Sequence, residues 1–395
     1  MAGPLSGYRI VDVTSMISGP IATRILGDQG ADVIKVEAPG AGDLVRGIGS
    51  TRAGITPMFA TANRSKRSMV IDLKHPDGVA LLMRVVAGAD AFVQNFRPGA
   101  VDRMGIGEEP VRRSQADIVY VSISGFGETG PYAMKRVYDP VIQALSGVAS
   151  IQGDRVTGRP RMVRTILPDK LTAVTAAQAI TAALLARERS GEGQHVRLAM
   201  LDAMVSFLWP EVMARHTFVE AGRQKKRAIP QVRDLVFETA DGFMTAGAVA
   251  DNEWAAMSRV LGHPEWIEDP RFCNAAARVV NWDERLELTA EVLRTRTTAE
   301  WLERLDAEGV PCAPINDRGA LLTDPQIAAN ELIVESVHPH VGLVRDTRPA
   351  ARFDRTPAEI GRPAPLLGEH TDEILGEAGL SADEIRALHD RGVLG

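Results

Sequence analysis

A chain of 395 residues with 45% hydrophobic and 24% charged side chains is long enough for two globular domains and too apolar to be disordered. Its 45 basic and 51 acidic residues leave a net charge of −6, and the densest basic run, Arg223 to Arg227, reads as a solvated loop, so no nucleic-acid partner is expected. Two distant cysteines, eight histidines without HxxxH or HExxH, and no apolar run of about 18 residues argue against a metal site and a membrane span, while the N-terminus lacks a signal-like pattern and points to the cytoplasm.

The first 126 residues alternate between strand-like and helix-like segments. Strands are predicted at Tyr8–Val13, Ala31–Glu37, Met69–Leu73, Ala91–Phe96 and Ile118–Ile123, and helices at Pro20–Gly27 and Gly78–Ala87. Such alternation predicts right-handed βαβ units and an α/β fold with a mostly parallel, Rossmann-like sheet. A long alanine-rich helix follows over Lys170–Arg189, with Leu171, Val174, Ala182 and Leu185 on one face, and Gly191 and Gly193 stop it. Val196–Met200 reads as a short strand or helix start, and Leu201–Val219 as a second apolar helix. A polar break over 224–231 marks a linker. Beyond it lie a hairpin over Leu235–Ala248, turning at Asp241-Gly242, and helices at Glu253–Leu261, Trp282–Arg294 and Ala299–Glu308. The tail, loop-rich over Arg362–His370, ends in a helix at Ala382–Arg391. The expected division is a large domain from 1–224, a small α+β domain from 225–325, and a return to the large domain over 326–395.

Asp169 stands in LPDKLTA, just ahead of the long helix. Its ordinary role there is an N-cap, accepting hydrogen bonds from the first free amides. The same position suits a nucleophile, since the helix dipole favours an ionised carboxylate of low basicity. Ser18-Gly19-Pro20, after the first strand, presents amides that suit a phosphate. Gly125, Gly127 and Gly130 spell GxGxxG, but Pro131 follows and no helix signal opens there, which argues against dinucleotide binding. Lys66, Arg67, Lys74, Arg97 and Arg103 stand near strand ends; each reads as a surface charge, and together they suit an adenosine diphosphate.

Seven separated segments, in order, carry a resemblance: GADVIKVEAPGAGD (30–43), NRSKRSMVIDLK (63–74), VQNFRPGAVDRMG (93–105), SISGFGETGP (122–131), RSGEGQHVRLAMLDA (189–203), GVPCAPIND (309–317) and RPAPLLGEHTDEIL (362–375). On these the chain resembles the class III CoA-transferases, the formyl-CoA transferase and carnitine CoA-transferase family of CaiB/BaiF type. The resemblance implies that Asp169 is the catalytic aspartate. It implies CoA contacts from Ile71, Lys74, Asn95, Phe96, Arg103 and Met104, a loop near the thioester at Met16 and Ile17, and Arg136 and Tyr138 near the pantetheine end, beside Asp139. It also implies coenzyme A and acyl-CoA as substrates with no permanently bound cofactor, a carboxylic acid as the second partner, and an interlocked homodimer. The chain departs from the formyl-CoA enzyme at Ala38, where that enzyme has an arginine on the nucleotide, and over 225–235, where it has a covering glycine run.

The implied chemistry is CoA transfer through an aspartyl anhydride and an aspartyl-CoA thioester, with amides near Met16 and Ile17 as oxyanion donors. An α-methylacyl-CoA racemase shares the fold but needs an acid/base pair, and Tyr138 stands where racemases carry a histidine. A non-catalytic CoA-binding protein and a nicotinamide dehydrogenase are the further alternatives. Arg161, Arg164 and Arg233 are candidates for a second carboxylate of a dicarboxylic substrate, although each reads first as a surface arginine.

Overall fold

The structure, a computed structural model, describes residues 3–154, 157–219 and 234–394. The basic run Arg223 to Arg227, the linker at 224–231 and Arg233 lie outside the described residues, as does all but the end of the segment 225–235.

The elements begin with β1 (Arg9–Asp12), α1 (Ser18–Asp28), β2 (Asp32–Glu37), α2 (Pro57–Asn63), β3 (Lys66–Val70), α3 (Pro76–Val86), β4 (Ala91–Gln94), α4 (Ala100–Arg103), α5 (Glu108–Ser114) and β5 (Val119–Ser124). Then come α6 (Asp139–Leu145), α7 (Val148–Ile151), α8 (Leu167–Ser190), β6 (His195–Ala199), α9 (Met200–Val212) and α10 (Ala214–Thr217). β7 (Phe237–Glu238), β8 (Phe243–Ala246), α11 (Asp251–Val260), α12 (Ala275–Val280), α13 (Trp282–Leu293), α14 (Thr298–Ala307), β9 (Cys312–Pro314) and α15 (Pro325–Ala329) follow. The chain closes with β10 (Ile333–His338), β11 (Gly342–Thr347), α16 (Thr371–Glu377) and α17 (Ala382–Asp390). It forms two compact units, one of residues up to Phe218 together with those from Glu331 onward, the other Val219–Asn330.

In the larger unit β1 to β6 form one parallel sheet in the order β3-β2-β1-β4-β5-β6. The order reverses between β1 and β4, and ligands of such doubly wound sheets bind beyond the carboxyl ends of the strands at that switch. Both faces are covered, so the strands read as continuous apolar runs. Val11, Ile34, Phe92 and Tyr120 pack with residues of α3, α16 and α17. Ile10, Val33, Ala91 and Val119 pack with α1 and α8. The smaller unit holds the antiparallel sheet β7-β8-β9 and a core built around Trp254, Trp266, Phe272 and Trp301.

Three expectations are corrected. The third strand is Lys66–Val70, not Met69–Leu73, because Lys66, Arg67 and Ser68 are buried with polar partners instead of lying at the surface. The long helix buries Ala173, Ala176, Ala177, Ile180, Ala183 and Leu184, while Val174 and Leu185 are exposed. Small side chains let α1 and the sheet approach closely, so alanine content selects the face. The second apolar helix carries Pro210 and breaks at Met213 into α9 and α10. Gly191 does end α8, with φ 73° at its C-cap. The hairpin β10–β11 and helix α16 are additions to the predicted elements.

Candidate active site

The site grows from the loop after β1. Asp12, fully buried, accepts the Thr14 amide (2.9 Å), the Thr14 hydroxyl (2.5 Å) and the Thr23 hydroxyl (2.7 Å), and pairs with Lys66 Nζ at 2.9 Å. Burial by itself would raise its pKa, but Lys66 and Lys35 hold it at about 2. Lys35, equally buried, donates to the Thr14 carbonyl (3.0 Å) and to Asp43 (2.9 Å). Asp43 in turn accepts the Met16 amide at 3.1 Å. Held this way, Met16 adopts φ 70°, a left-handed conformation that costs a residue with a β-carbon about 1–3 kcal/mol. At Gly19 a β-carbon would lie 2.4 Å from the Thr14 side chain, so glycine alone lets the loop fold onto the start of α1. Asn95, just after β4, spans the switch between the strands: its Oδ1 accepts the Ser15 amide (3.0 Å) and its Nδ2 donates to the Ser15 carbonyl (2.8 Å).

Asp169 faces this loop. It is the third residue of α8, whose N-cap position is Ile166, so Asp169 sits inside the first turn and is not the cap. Ser18, the first residue of α1, turns its amide and hydroxyl toward this carboxylate and draws its pKa down. The α1 N-terminus therefore faces the Asp169 carboxylate. The Asp169 amide donates to Asp139 Oδ2 at 3.4 Å. Asp139, the buried first residue of α6, also accepts Gln143 Nε2 at 2.6 Å, and Gln143 is anchored to the Val163 amide and carbonyl. Burial first, then the Asp139 charge, raises the Asp169 pKa to about 6 against the pull of Ser18. Burial raises Asp139 too. The expected low basicity of Asp169 is thus reversed: the carboxylate is a stronger base and nucleophile than a free one, yet is mostly ionised at neutral pH. Paired carboxylates with raised pKa values are a frequent mark of a reacting site.

The remaining candidates divide. The Met16 amide is spent on Asp43, which removes it as an oxyanion donor; the Ile17 amide has no partner among the described residues. The Ile17 side chain packs with Val45, Ile55 and Phe59. Ile71 is fully buried in the core, backbone included, and its amide donates to the Glu37 carbonyl at 3.0 Å, so it offers no surface to a ligand. Phe96 and Met104 are half-buried against the same core. Lys74, Arg97, Arg103 and Arg136 are exposed, as is Tyr138 at 70%. Lys66 and Arg67 are not free cations: Lys66 is buried on Asp12, and Arg67 pairs with Asp32 (2.6 Å), Glu373 (2.8 Å) and Glu377 (2.7 Å). Arg161 pairs with Asp154, and Arg164 is exposed. Gly127 and Gly130 have positive φ, but the next helix starts only at Asp139. A buried relay was not anticipated: Glu108 to His195 Nδ1 (2.6 Å), His195 Nε2 to Ser122 Oγ (2.8 Å), Gln94 Nε2 to Ser122 Oγ (2.8 Å), and the Phe96 amide to Gln94 (2.8 Å). Its spacing resembles a hydrolase triad, but Ser122 is 6% exposed within a strand, and the relay ends by fixing the Phe96 backbone. Asp43, Lys35 and Gln143 were likewise missed, although Lys35 and Asp43 lie in the GADVIKVEAPGAGD segment.

Comparisons with known proteins identify the family. The family model for CoA-transferase family III matches residues 5–371. The human succinyl-CoA:glutarate CoA-transferase is 35% identical over 95% of this chain and 86% of its own length. A formyl-CoA:oxalate CoA-transferase from Streptomyces coelicolor is 33% identical over 100% of both chains. The crystal structure of a CaiB/BaiF family protein from Brucella suis superposes with a TM-score of 0.82 at 31% identity, covering 96% of this chain and 100% of that one.

Proposed function

The chain belongs to CoA-transferase family III and is an acyl-CoA:carboxylate CoA-transferase; from that premise we propose that Asp169 carries the acyl group and then CoA. The observation that supports this is the largely buried Asp169 carboxylate, facing Ser18 at the start of α1, its pKa raised to about 6 by burial and by Asp139, whose Oδ2 accepts the Asp169 amide. An Asp169 oxygen attacks the thioester carbonyl, a C–O bond forms, the C–S bond breaks and CoA leaves as thiolate. The thiolate then attacks the aspartyl carbon of the mixed anhydride, giving aspartyl-CoA and the donor acid. An acceptor carboxylate attacks the aspartyl thioester and releases the thiolate, which takes the acceptor acyl group and restores Asp169. No proton is consumed. Each step begins with an anion of matched reactivity, which is the value of splitting the transfer. The role we assign to the N-terminus of α1, with the Ile17 amide that is unpaired among the described residues, is to stabilise charge developing on the carbonyl oxygen.

CoA would run along the carboxyl ends of the strands, past Asn95, Phe96 and Met104, with the exposed Lys74 and Arg103 suited to its phosphates and Arg136 and Tyr138 to the pantetheine end. The acceptor we favour is a short dicarboxylic acid, because relatives are named for glutarate and oxalate. The test is turnover of succinyl-CoA with a panel of acids in heavy water. CoA transfer to a dicarboxylate without deuterium at the α-carbon is expected. Deuterium uptake without transfer would indicate a racemase, and no reaction with any thioester a binding protein; either result contradicts the proposal.

A further inference from the structure

The smaller unit contains a cavity of about 140 Å³ lined by Phe237, Trp254, Met257, Trp282, Arg285 and Leu286 among others. Arg285 is 8% exposed, and among the described residues its side chain has ring contacts but no hydrogen bond or ion pair. Its guanidinium lies 4.6 Å from the Trp282 ring centre and 5.8 Å from that of Trp254. Arg278, in the same wall, is fully used: it pairs with Asp251 at 2.6 Å and donates to the carbonyls of Phe272 and Val249, both at 3.0 Å. Among the described residues the cavity therefore carries one positive charge with no counter-charge. A guanidinium cannot shed its proton at neutral pH, and an unpaired buried charge is costly. The ring contacts recover only part of that cost. The Trp282 Nε1 is buried in the same wall without an acceptor among the described residues, whereas the Arg285 nitrogens keep some exposed surface at the cavity.

We infer that this cavity is a binding site for a small carboxylate with a compact apolar body, the carboxylate on Arg285 and the body among the tryptophans. The volume matches a single ring, since engineered apolar cavities of about 150 Å³ accept benzene. A planar carboxylate also matches the guanidinium fork. Burial, then the charge of Arg278, pushes Arg285 down to about 10, in line with a cation lacking its partner. The inference does not depend on the transfer mechanism.

Calorimetric titration of the full chain with benzoate, and with benzamide as the neutral equivalent, tests this. Benzoate is expected to bind saturably to the wild type and equally to Asp169→Asn. Benzamide, and benzoate with Arg285→Gln, should bind at least about tenfold more weakly, as for a lost charged hydrogen bond. No saturable benzoate binding, equal binding of benzamide, or undiminished binding by a folded Arg285→Gln overturns the inference. If that variant does not fold, the benzoate and benzamide comparison on the wild type decides.

Discussion

At the scale of residues, the proposed chemistry rests on two carboxylates and a serine. On the proposed mechanism Asp169 must be ionised to attack, so kcat/KM should fall as pH drops below about 6. Asp139 raises Asp169, so Asp139→Asn should move this acid limb to lower pH, read from the kcat/KM profile. The stability effect has a definite sign. The folded pKa of Asp169 lies above the unfolded value near 3.9, so its charge disfavours the fold; the penalty is complete above about pH 6 and disappears as pH falls toward 4. Asp169→Asn should therefore abolish transfer while making the protein more stable at pH 8, by on the order of 1 kcal/mol in urea denaturation. A sequence can present Asp169 as a carboxylate at a helix start, but not as a raised one. Asp139 and Ser18 come from other elements, and only the packing of α1 and α6 on α8 supplies them.

Helices and loops supply the positioning. Gly19→Ala would drive a β-carbon into Thr14 and shift Ser18, which should lower kcat by about a hundredfold with the fold retained, checked by single-turnover kinetics and circular dichroism. Asp43→Ala would leave Lys35 buried and unpaired and release Met16. Breaking such a pair costs about 3–5 kcal/mol, to be measured by chemical denaturation. Ala176 is fully buried on α8, and Ala176→Leu should cost about 1–3 kcal/mol by overpacking. Strands β1, β2, β4 and β5 are readable because continuous apolar runs announce strands buried on both faces. β3 is obscured because KRSMV looks like surface, and its partners Asp12, Asp32 and Glu37 come from other strands. α8 is readable as a helix but not as to face, since alanine packs by being small.

Across the molecule, the doubly wound order places the loops after β1 and β4 side by side, and Asn95 locks them together. Alternating elements imply the parallel sheet, and the family resemblance supplies Asp169. The strand order, the buried ion pairs beneath the loop and the lone Arg285 depend on long-range contacts that no local pattern encodes. No helix among the described residues is long and apolar enough to cross a membrane. The last two helices cover one face of the sheet through Ile374, Leu375, Ile385 and Leu388. A chain ending at His370 should accordingly lose cooperative unfolding in calorimetry. The most direct test of the central claim follows the oxygens. If an acceptor carboxylate attacks aspartyl-CoA, one of its oxygens passes to the aspartate when the thiolate takes the new acyl group. After turnover with an acceptor acid labelled in its carboxylate with heavy oxygen, mass spectrometry of the proteolysed enzyme should find the label in the peptide containing Asp169, at that side chain. Transfer with an unlabelled Asp169 would contradict covalent passage through this residue.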